Sequence, residues 1–232
     1  MKKLPIHDVL EDIKTTLNTN STLILEAPPG AGKSTVVPIS LLSQPWLEDK
    51  IIIMLEPRRV AARMVAVQMA KLLGEEVGQS VGYQVKMDSC YSKNTKLLVV
   101  TEAILVRKLQ SDQALEDVAM VIFDEFHERS IHTDLSLALC VQVQELLRAD
   151  LKLLIMSATL DSRELTNLLG EVPVITSKGK IYDVENIYLE TNIKQPDSKS
   201  INTLLLNITL KAIKEDDGDI LVFLAGSREI QR

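Results

Sequence analysis

Short apolar runs recur along the first three quarters of this chain, and each is followed by a stretch with helical spacing. Runs that are rich in Ile, Val and Leu and apolar on both faces are typical of parallel strands covered by helices on each side. The alternation predicts an α/β fold with a doubly wound parallel sheet and right-handed crossovers. The predicted strands are residues 22–25, 51–55, 97–100, 120–123 and 151–156, with 172–175 as an edge strand because it contains Pro173. Helices are predicted between them at residues 34–42, 60–73, 102–110, 135–147 and 163–168, and two further strands at residues 181–190 and 220–224.

The loop after the first run reads Ala27-Pro-Pro-Gly-Ala-Gly-Lys-Ser-Thr35. A strand, a glycine-bearing loop and Lys-Ser-Thr at a helix start predict a phosphate-binding P-loop, although the strict pattern has Gly at position 27. We expect Lys33 to reach the β- and γ-phosphates and the Ser34 hydroxyl to ligate Mg²⁺. A purely structural turn is the alternative. The candidate ATP-binding residues are Pro29, Gly30, Ala31, Gly32, Lys33, Ser34 and Thr35.

Two acidic residues, Asp124 and Glu125, directly follow the apolar run 120–123. A carboxylate in this position beside a P-loop is expected to hold Mg²⁺, partly through water because Mg²⁺ dehydrates reluctantly. We assign that role to Asp124 and the deprotonation of the attacking water to Glu125. The catalytic candidates are therefore Lys33, Asp124 and Glu125, and an exposed acidic turn is the alternative for the carboxyl pair.

Polar clusters follow the first five of the predicted strands, at residues 27–35, 56–59, 101–103, 124–127 and 157–159. In an open parallel sheet, ligands bind outside the carboxyl ends of the strands. The sequence thus predicts that the five clusters meet at one edge of the sheet.

Composition excludes several classes of protein. With 26 Lys and Arg against 32 Asp and Glu, the net charge of −6 argues against a generally basic protein that coats nucleic acid. Cys90 and Cys140 lie far apart and are predicted to be reduced thiols. His127 and His132 are five residues apart, so they do not share a helix face as the zinc motif H-E-x-x-H requires. We expect no membrane span, no signal peptide and a cytoplasmic location, and no oligomer is predicted.

The sequence Asp124-Glu-Phe-His127, followed by Glu128-Arg-Ser130, resembles superfamily 2 helicases of the DEAH/RHA group, in the form found in the bacterial HrpB subgroup. Residues 27–35, 57–62, 101–105, 157–160 and 220–230 are similar to further motifs of that group, in which Ala at position 27 is normal. The resemblance implies a RecA-like domain 1 at residues 1–178, a linker strand and loop at 179–200, and the start of a second RecA-like domain at 201–232.

The resemblance also implies residue roles. Arg58, Arg59 and Thr101 would contact nucleic acid, since a translocase without sequence specificity should bind the phosphate backbone. Pairing of the two arginines with nearby acids is the alternative. His127, Ser157 and Thr159 would couple the ATP site to movement along the nucleic acid. The alternative for His127 is an ordinary turn histidine.

Three features depart from the group. Ala103 stands where Gly is usual, Gln68 stands roughly where many relatives carry an Arg thought to stack on adenine, and no segment of these 232 residues matches the arginine fingers of the second domain. We therefore expect this chain alone to bind ATP and hydrolyse it poorly.

The resemblance implies an ATP-dependent helicase that steps along single-stranded RNA or DNA, 3′ to 5′, with ATP and Mg²⁺. The alternatives are a P-loop ATPase switch whose output is binding of a protein partner, and a non-catalytic nucleotide-binding scaffold.

Overall fold

An eight-stranded sheet organises the chain, as seen in a computed structural model that describes residues 4–158, 165–166, 169–179, 183–189, 201–224 and 226–231. The strand order is β4-β3-β5-β2-β6-β7-β1-β8, and every neighbouring pair is parallel except β3 and β4. The strands are β1 Thr22–Glu26, β2 Ile51–Leu55, β3 Val81–Val85, β4 Asp88–Cys90, β5 Leu97–Val100, β6 Val118–Phe123, β7 Lys152–Ser157 and β8 Val174–Thr176.

Helices connect these strands, and three short 3₁₀ helices lie at Pro5–Asp8, Pro45–Leu47 and Phe126–Glu128. Within the described ranges, no helix is both long and apolar enough to cross a membrane. The α-helices are α1 Leu10–Thr19, α2 Lys33–Leu41, α3 Arg59–Leu73, α4 Glu102–Ser111, α5 Ile131–Leu146, α6 Ile201–Glu215 and α7 Ser227–Ile230.

The sheet separates two hydrophobic cores. Because successive side chains of a strand point to opposite faces, Ile52 and Met54 of β2 pack with α1, α2 and α3, whereas Ile53 and Leu55 pack with α4 and α5. Cys140 of α5 is buried in the second core, and burial raises the pKa of its thiol to about 12. The doubly wound α/β fold predicted from the apolar runs is confirmed.

Two local features were not predicted. The β3–β4 hairpin was missed because its strands are short and the first contains Gly82, where a Cβ would lie only 2.7 Å from the Cys90 carbonyl oxygen. Helix α5 begins at Ile131, one turn before the predicted residue 135. It starts there because the Ser130 hydroxyl accepts a hydrogen bond from Thr133 N at 3.0 Å and so caps the helix.

The chain divides into two compact units, residues 1–181 and 182–232. In the second unit, the strands predicted at residues 181–190 and 220–224 are wrong for the part that is described. Residues 183–189 and 220–224 form no strand, and the Phe223 side chain is 84% exposed. An extended segment becomes a strand only beside a hydrogen-bonding neighbour, and none is present among the described residues of this unit. Of the helix predicted at 163–168, only Leu165 and Thr166 are described, and both are helical.

Candidate functional site

The phosphate loop lies between β1 and α2, and both of its glycines adopt backbone conformations that favour glycine. Gly30 and Gly32 have φ values of 75° and 99°, in the left-handed region. A Cβ on Gly32 would lie 2.9 Å from Leu4 Cδ1. Helix α2 begins at the next residue, Lys33, so its unpaired N–H groups open onto the loop. This arrangement suits an anion such as a phosphate.

Lys33 is the buried cation of this site. Only 4% of the residue is exposed, and its Nζ donates to Glu125 Oε1 at 2.9 Å. A buried ammonium needs a partner, and here the partner is the predicted catalytic carboxylate from the loop after β6. The structure therefore brings together two of the three predicted catalytic residues.

Asp124 is the third, and one of its oxygens lacks a partner. Oδ1 accepts from Glu125 N at 2.8 Å, while the buried Oδ2 accepts no hydrogen bond from the described residues. Burial raises the pKa of Asp124, although the nearby Ser34 hydroxyl and Lys33 ammonium both act to lower it. A buried, unpaired carboxylate oxygen near a serine hydroxyl is a suitable donor set for Mg²⁺, directly or through its waters. The residues present thus fit the ion that the sequence implies.

Glu56 is a buried carboxyl of the predicted cluster at 56–59 to which the sequence analysis assigned no role. It directly follows β2, is only 3% exposed, and its backbone N donates to Val100 O at 2.9 Å. Burial, and next the charge of Asp124, raise the pKa of Glu56 to about 9. At neutral pH this carboxyl is therefore protonated. The sequence did indicate this burial, since Glu56 directly follows the unbroken apolar run 51–55.

The substitution E56Q is expected to stabilise the protein increasingly as pH rises from about 4.5 towards 9. The Glu56 pKa is about 9 in the folded protein and 4.5 ordinarily, so unfolding in this window releases a proton and stability falls with pH. Glutamine does not titrate. We expect the difference in unfolding free energy between E56Q and the unaltered chain to grow by about 1–3 kcal/mol between pH 5 and 7.5. Denaturant unfolding without nucleotide or Mg²⁺ measures it, and a difference independent of pH would contradict the assignment.

The backbone of Glu125 is strained. Its φ of 48° and ψ of 37° place a non-glycine residue in the left-handed region, and Arg129, just after the 3₁₀ helix, has φ 41°. Such conformations cost about 1–3 kcal/mol each and persist where the surroundings enforce them. The turn directs Glu125 back towards Lys33 of the phosphate loop.

Two of the predicted coupling residues link neighbouring strand ends. His127 Nδ1 lies 3.4 Å from Glu125 Oε2 and 3.4 Å from Ala158 N, which places the ring between the loops after β6 and β7. Ser157 is fully buried, and its carbonyl oxygen accepts from Ala27 N at 3.0 Å, at the base of the phosphate loop. Thr159 lies outside the described residues.

The residues predicted to contact nucleic acid lie at the ends of β2 and β5. Arg58 has a 74% exposed side chain, and its Nη2 donates to Glu128 Oε1 at 3.0 Å. The alternative raised for the arginines, pairing with a nearby acid, is thus observed for Arg58. Arg59 is exposed at the start of α3, and Thr101 is half-buried at the N-cap of α4. Ala103, one of the departures from the group, is exposed.

Comparison with known proteins identifies the family. A family model described as DEAD/DEAH box helicase matches residues 9–168. The chain belongs to the DEAD/DEAH box helicase family. The matched region contains the phosphate loop, the Asp124-Glu125 pair and the strand ends described above, so the family predicted from these motifs is confirmed.

Individual helicases match the whole chain. It is 46% identical over 232 residues to an ATP-dependent RNA helicase HrpB from Escherichia coli K12, and 32% identical over 230 residues to an ATP-dependent RNA helicase HrpA from Borreliella burgdorferi. These matches cover 100% and 99% of this chain but 28% of each relative.

Solved structures agree with these matches. A crystal structure of the E. coli DEAH/RHA helicase HrpB matches 98% of this chain and 28% of that one, with a TM-score of 0.86 and 45% identity. A second, of the E. coli DExH-box NTPase HrpB, matches all of this chain and 28% of that one, with a TM-score of 0.79 and 45% identity. The sheet is therefore the RecA-like sheet of this helicase family.

Proposed function

We propose that this chain carries the nucleotide-binding half of an ATP-dependent helicase that moves along single-stranded nucleic acid. One observation carries the proposal: the ion pair between buried Lys33 and half-buried Glu125 lies beside the unpaired Oδ2 of Asp124, at the mouth of a glycine loop. A cation, a general base and a metal-binding carboxylate are the groups that phosphoryl transfer to water requires. Because both relatives are named ATP-dependent RNA helicases, we propose RNA as the strand.

The chain's own residues would act in sequence. The backbone N–H groups of residues 30–35 would bind the phosphates beside Pro29, and Lys33 would exchange its contact with Glu125 for the β- and γ-phosphate oxygens. The exchange frees Glu125 to orient the attacking water and accept its proton. Ser34 and Asp124 would hold Mg²⁺, partly through water, and the ion would supply charge stabilisation on the phosphates.

Nucleic acid would bind along the ends of β2 and β5. Arg58 and Arg59 would bind phosphates and Thr101 would donate its hydroxyl, while His127, Ser157 and Thr159 couple this contact to the nucleotide. Residues 1–178 would be RecA-like domain 1, residues 179–200 a linker, and residues 201–232 the start of a second such domain. We propose cytoplasmic 3′ to 5′ translocation by the complete gene product.

Hydrolysis of ATP by the complete gene product, with and without RNA or single-stranded DNA, tests this function. Stimulation by either strand supports a helicase, and stimulation by RNA alone identifies the strand. Indifference to both, together with stimulation by a protein, would instead favour an ATPase switch. We expect the 232-residue chain alone to hydrolyse ATP far more slowly, because transition-state arginines supply on the order of 10³–10⁵-fold in such enzymes.

The double substitution R58Q/R59Q is expected to weaken binding of single-stranded RNA and to flatten its salt dependence. Each phosphate contact to a single strand contributes about 0.7 to the slope of log K against log salt, so losing two should reduce the slope by about 1.4. Fluorescence anisotropy across salt concentrations measures it. The matched control is K50Q/K96Q, which removes the same charge at the opposite edge of the sheet, before β2 and β5. Equal slopes for the two double variants would contradict the placement.

A further inference from the structure

Glu102, the first residue of α4, accepts hydrogen bonds from two hydroxyl groups at the start of another helix. Its Oε1 accepts from Ser130 Oγ at 2.9 Å and from Thr133 Oγ1 at 2.5 Å. Both donors belong to the start of α5, and Thr133 is buried. Glu102 also follows Thr101, the residue proposed to contact nucleic acid. One carboxylate therefore joins the end of β5 to the start of α5.

This contact determines how α5 begins. Ser130 caps the helix by accepting from Thr133 N at 3.0 Å. A serine hydroxyl that accepts through a lone pair still has a hydrogen to donate, and Glu102 receives it. The carboxylate thus fixes the orientation of the cap, and Ser130 is the last residue of the segment that begins at Glu125.

The segment from Glu125 to Ser130 depends on such anchors. Phe126 packs into the core on one side, but on the other side the segment borders a cavity of about 240 Å³. The lining of that cavity includes Arg58, Glu102, Glu125 and Glu128. Across it, the segment is held by the exposed Arg58–Glu128 pair and by Glu102.

The strained backbone of the segment depends on where Glu102 and the Arg58–Glu128 pair hold it. Glu125 and Arg129 both have positive φ, so the segment is held in a backbone conformation that it would not adopt alone. Space in the cavity leaves room for the segment to shift when an anchor moves. A shift would reposition the Glu125 carboxylate relative to Lys33.

We propose that Glu102 is a positioning residue that acts through Ser130 and Thr133 and transmits nucleic-acid binding at Thr101 to Glu125. This inference rests on the proposed helicase function. Nucleic acid that binds at Thr101 would displace the start of α4. The hydrogen bonds of Glu102 to Ser130 and Thr133 would then displace the start of α5 as well. In this role Glu102 would act through its hydrogen bonds to Ser130 and Thr133 and not by contact with nucleotide or nucleic acid.

The test measures ATP hydrolysis by the complete gene product carrying E102A, with and without RNA. The ratio of RNA-stimulated to basal kcat is expected to fall by about tenfold, within the range of ordinary coupling between two sites. The loss should fall on kcat in the presence of RNA and not on KM for ATP. The conservative variant E102Q keeps an oxygen acceptor and should restore most of the ratio. The matched control is E116A, which removes an exposed acid just after α4 and should leave the ratio unchanged.

A second variant keeps the test decisive if E102A fails to fold. T133V has nearly the same shape and removes one of the two donors to Glu102, so the ratio should fall severalfold. If basal and stimulated rates fall in parallel with the melting temperature, or if E102A and T133V keep the ratio of the unaltered enzyme, the role is only structural and the inference is wrong. An unaltered enzyme that neither RNA nor single-stranded DNA stimulates would instead overturn the proposed function, and the inference with it.

Discussion

The substitution K33A is expected to lower the affinity for ATP by roughly 30-fold to several thousand-fold. Lys33 is 4% exposed and lies at the start of α2, where its ammonium donates to Glu125 Oε1 at 2.9 Å. Truncating one partner of a buried, hydrogen-bonded charge pair costs about 2–5 kcal/mol, which gives this range of affinities. Titration of a fluorescent ATP analogue into the 232-residue chain measures the effect directly.

The control for this variant is another lysine. K50A removes a partly exposed lysine whose partner, Asp150, lies 3.3 Å away, and it should leave ATP affinity unchanged. Thermal unfolding without nucleotide shows whether K33A folds, since the variant leaves Glu125 without its ammonium partner. A folded K33A that binds ATP within threefold of the unaltered chain would show that the loop does not hold phosphates as proposed.

The substitution E125Q is expected to lower the rate of hydrolysis by about 10²–10⁴-fold while keeping ATP bound. Glutamine has the same shape and can still accept from Lys33 through its amide oxygen, so the phosphate loop keeps its geometry. It cannot take a proton from water. Single-turnover hydrolysis by the complete gene product with RNA measures the rate, and ATP titration measures the affinity.

E145Q provides the matched control for E125Q, because Glu145 is an exposed acid on α5. Its turnover should equal that of the unaltered enzyme. If E125Q retained more than a tenth of normal turnover, the general base would have to be another group. Loss of ATP affinity equal to the loss of rate would indicate that Glu125 supports the fold of the site instead of the chemistry.

Sequence reasoning placed the candidate catalytic residues at one site because their positions follow from local pattern. Lys33, Asp124 and Glu125 each follow an apolar strand, and a parallel sheet brings the carboxyl ends of its strands to one edge. The sheet places β7 between β6 and β1, yet the side chains of Lys33 and Glu125 bridge that strand. Topology alone was enough to place these residues at one site.

Contacts between distant loops could not be predicted in this way. Whether Arg58 meets Glu128, or Glu102 meets Ser130, depends on distances between elements that local periodicity does not encode. The protonation of Glu56 depends on burial by neighbours from other strands. The same limit explains the wrong strand predicted at 220–224, where an apolar pattern occurs without a neighbouring strand among the described residues.

The position of β1 in the sheet has a consequence for how the protein is made. Its two neighbours come much later in the chain, since Thr22 pairs with Leu153 of β7 and Ile24 with Val174 of β8. During translation, β1 therefore has no neighbouring strand to pair with for an interval on the order of ten seconds. A nascent chain should gain the ability to bind ATP only after β8 has left the ribosome. The phosphate loop is synthesised early, but the strand before it gains both of its neighbours only after β7 and β8 have been made.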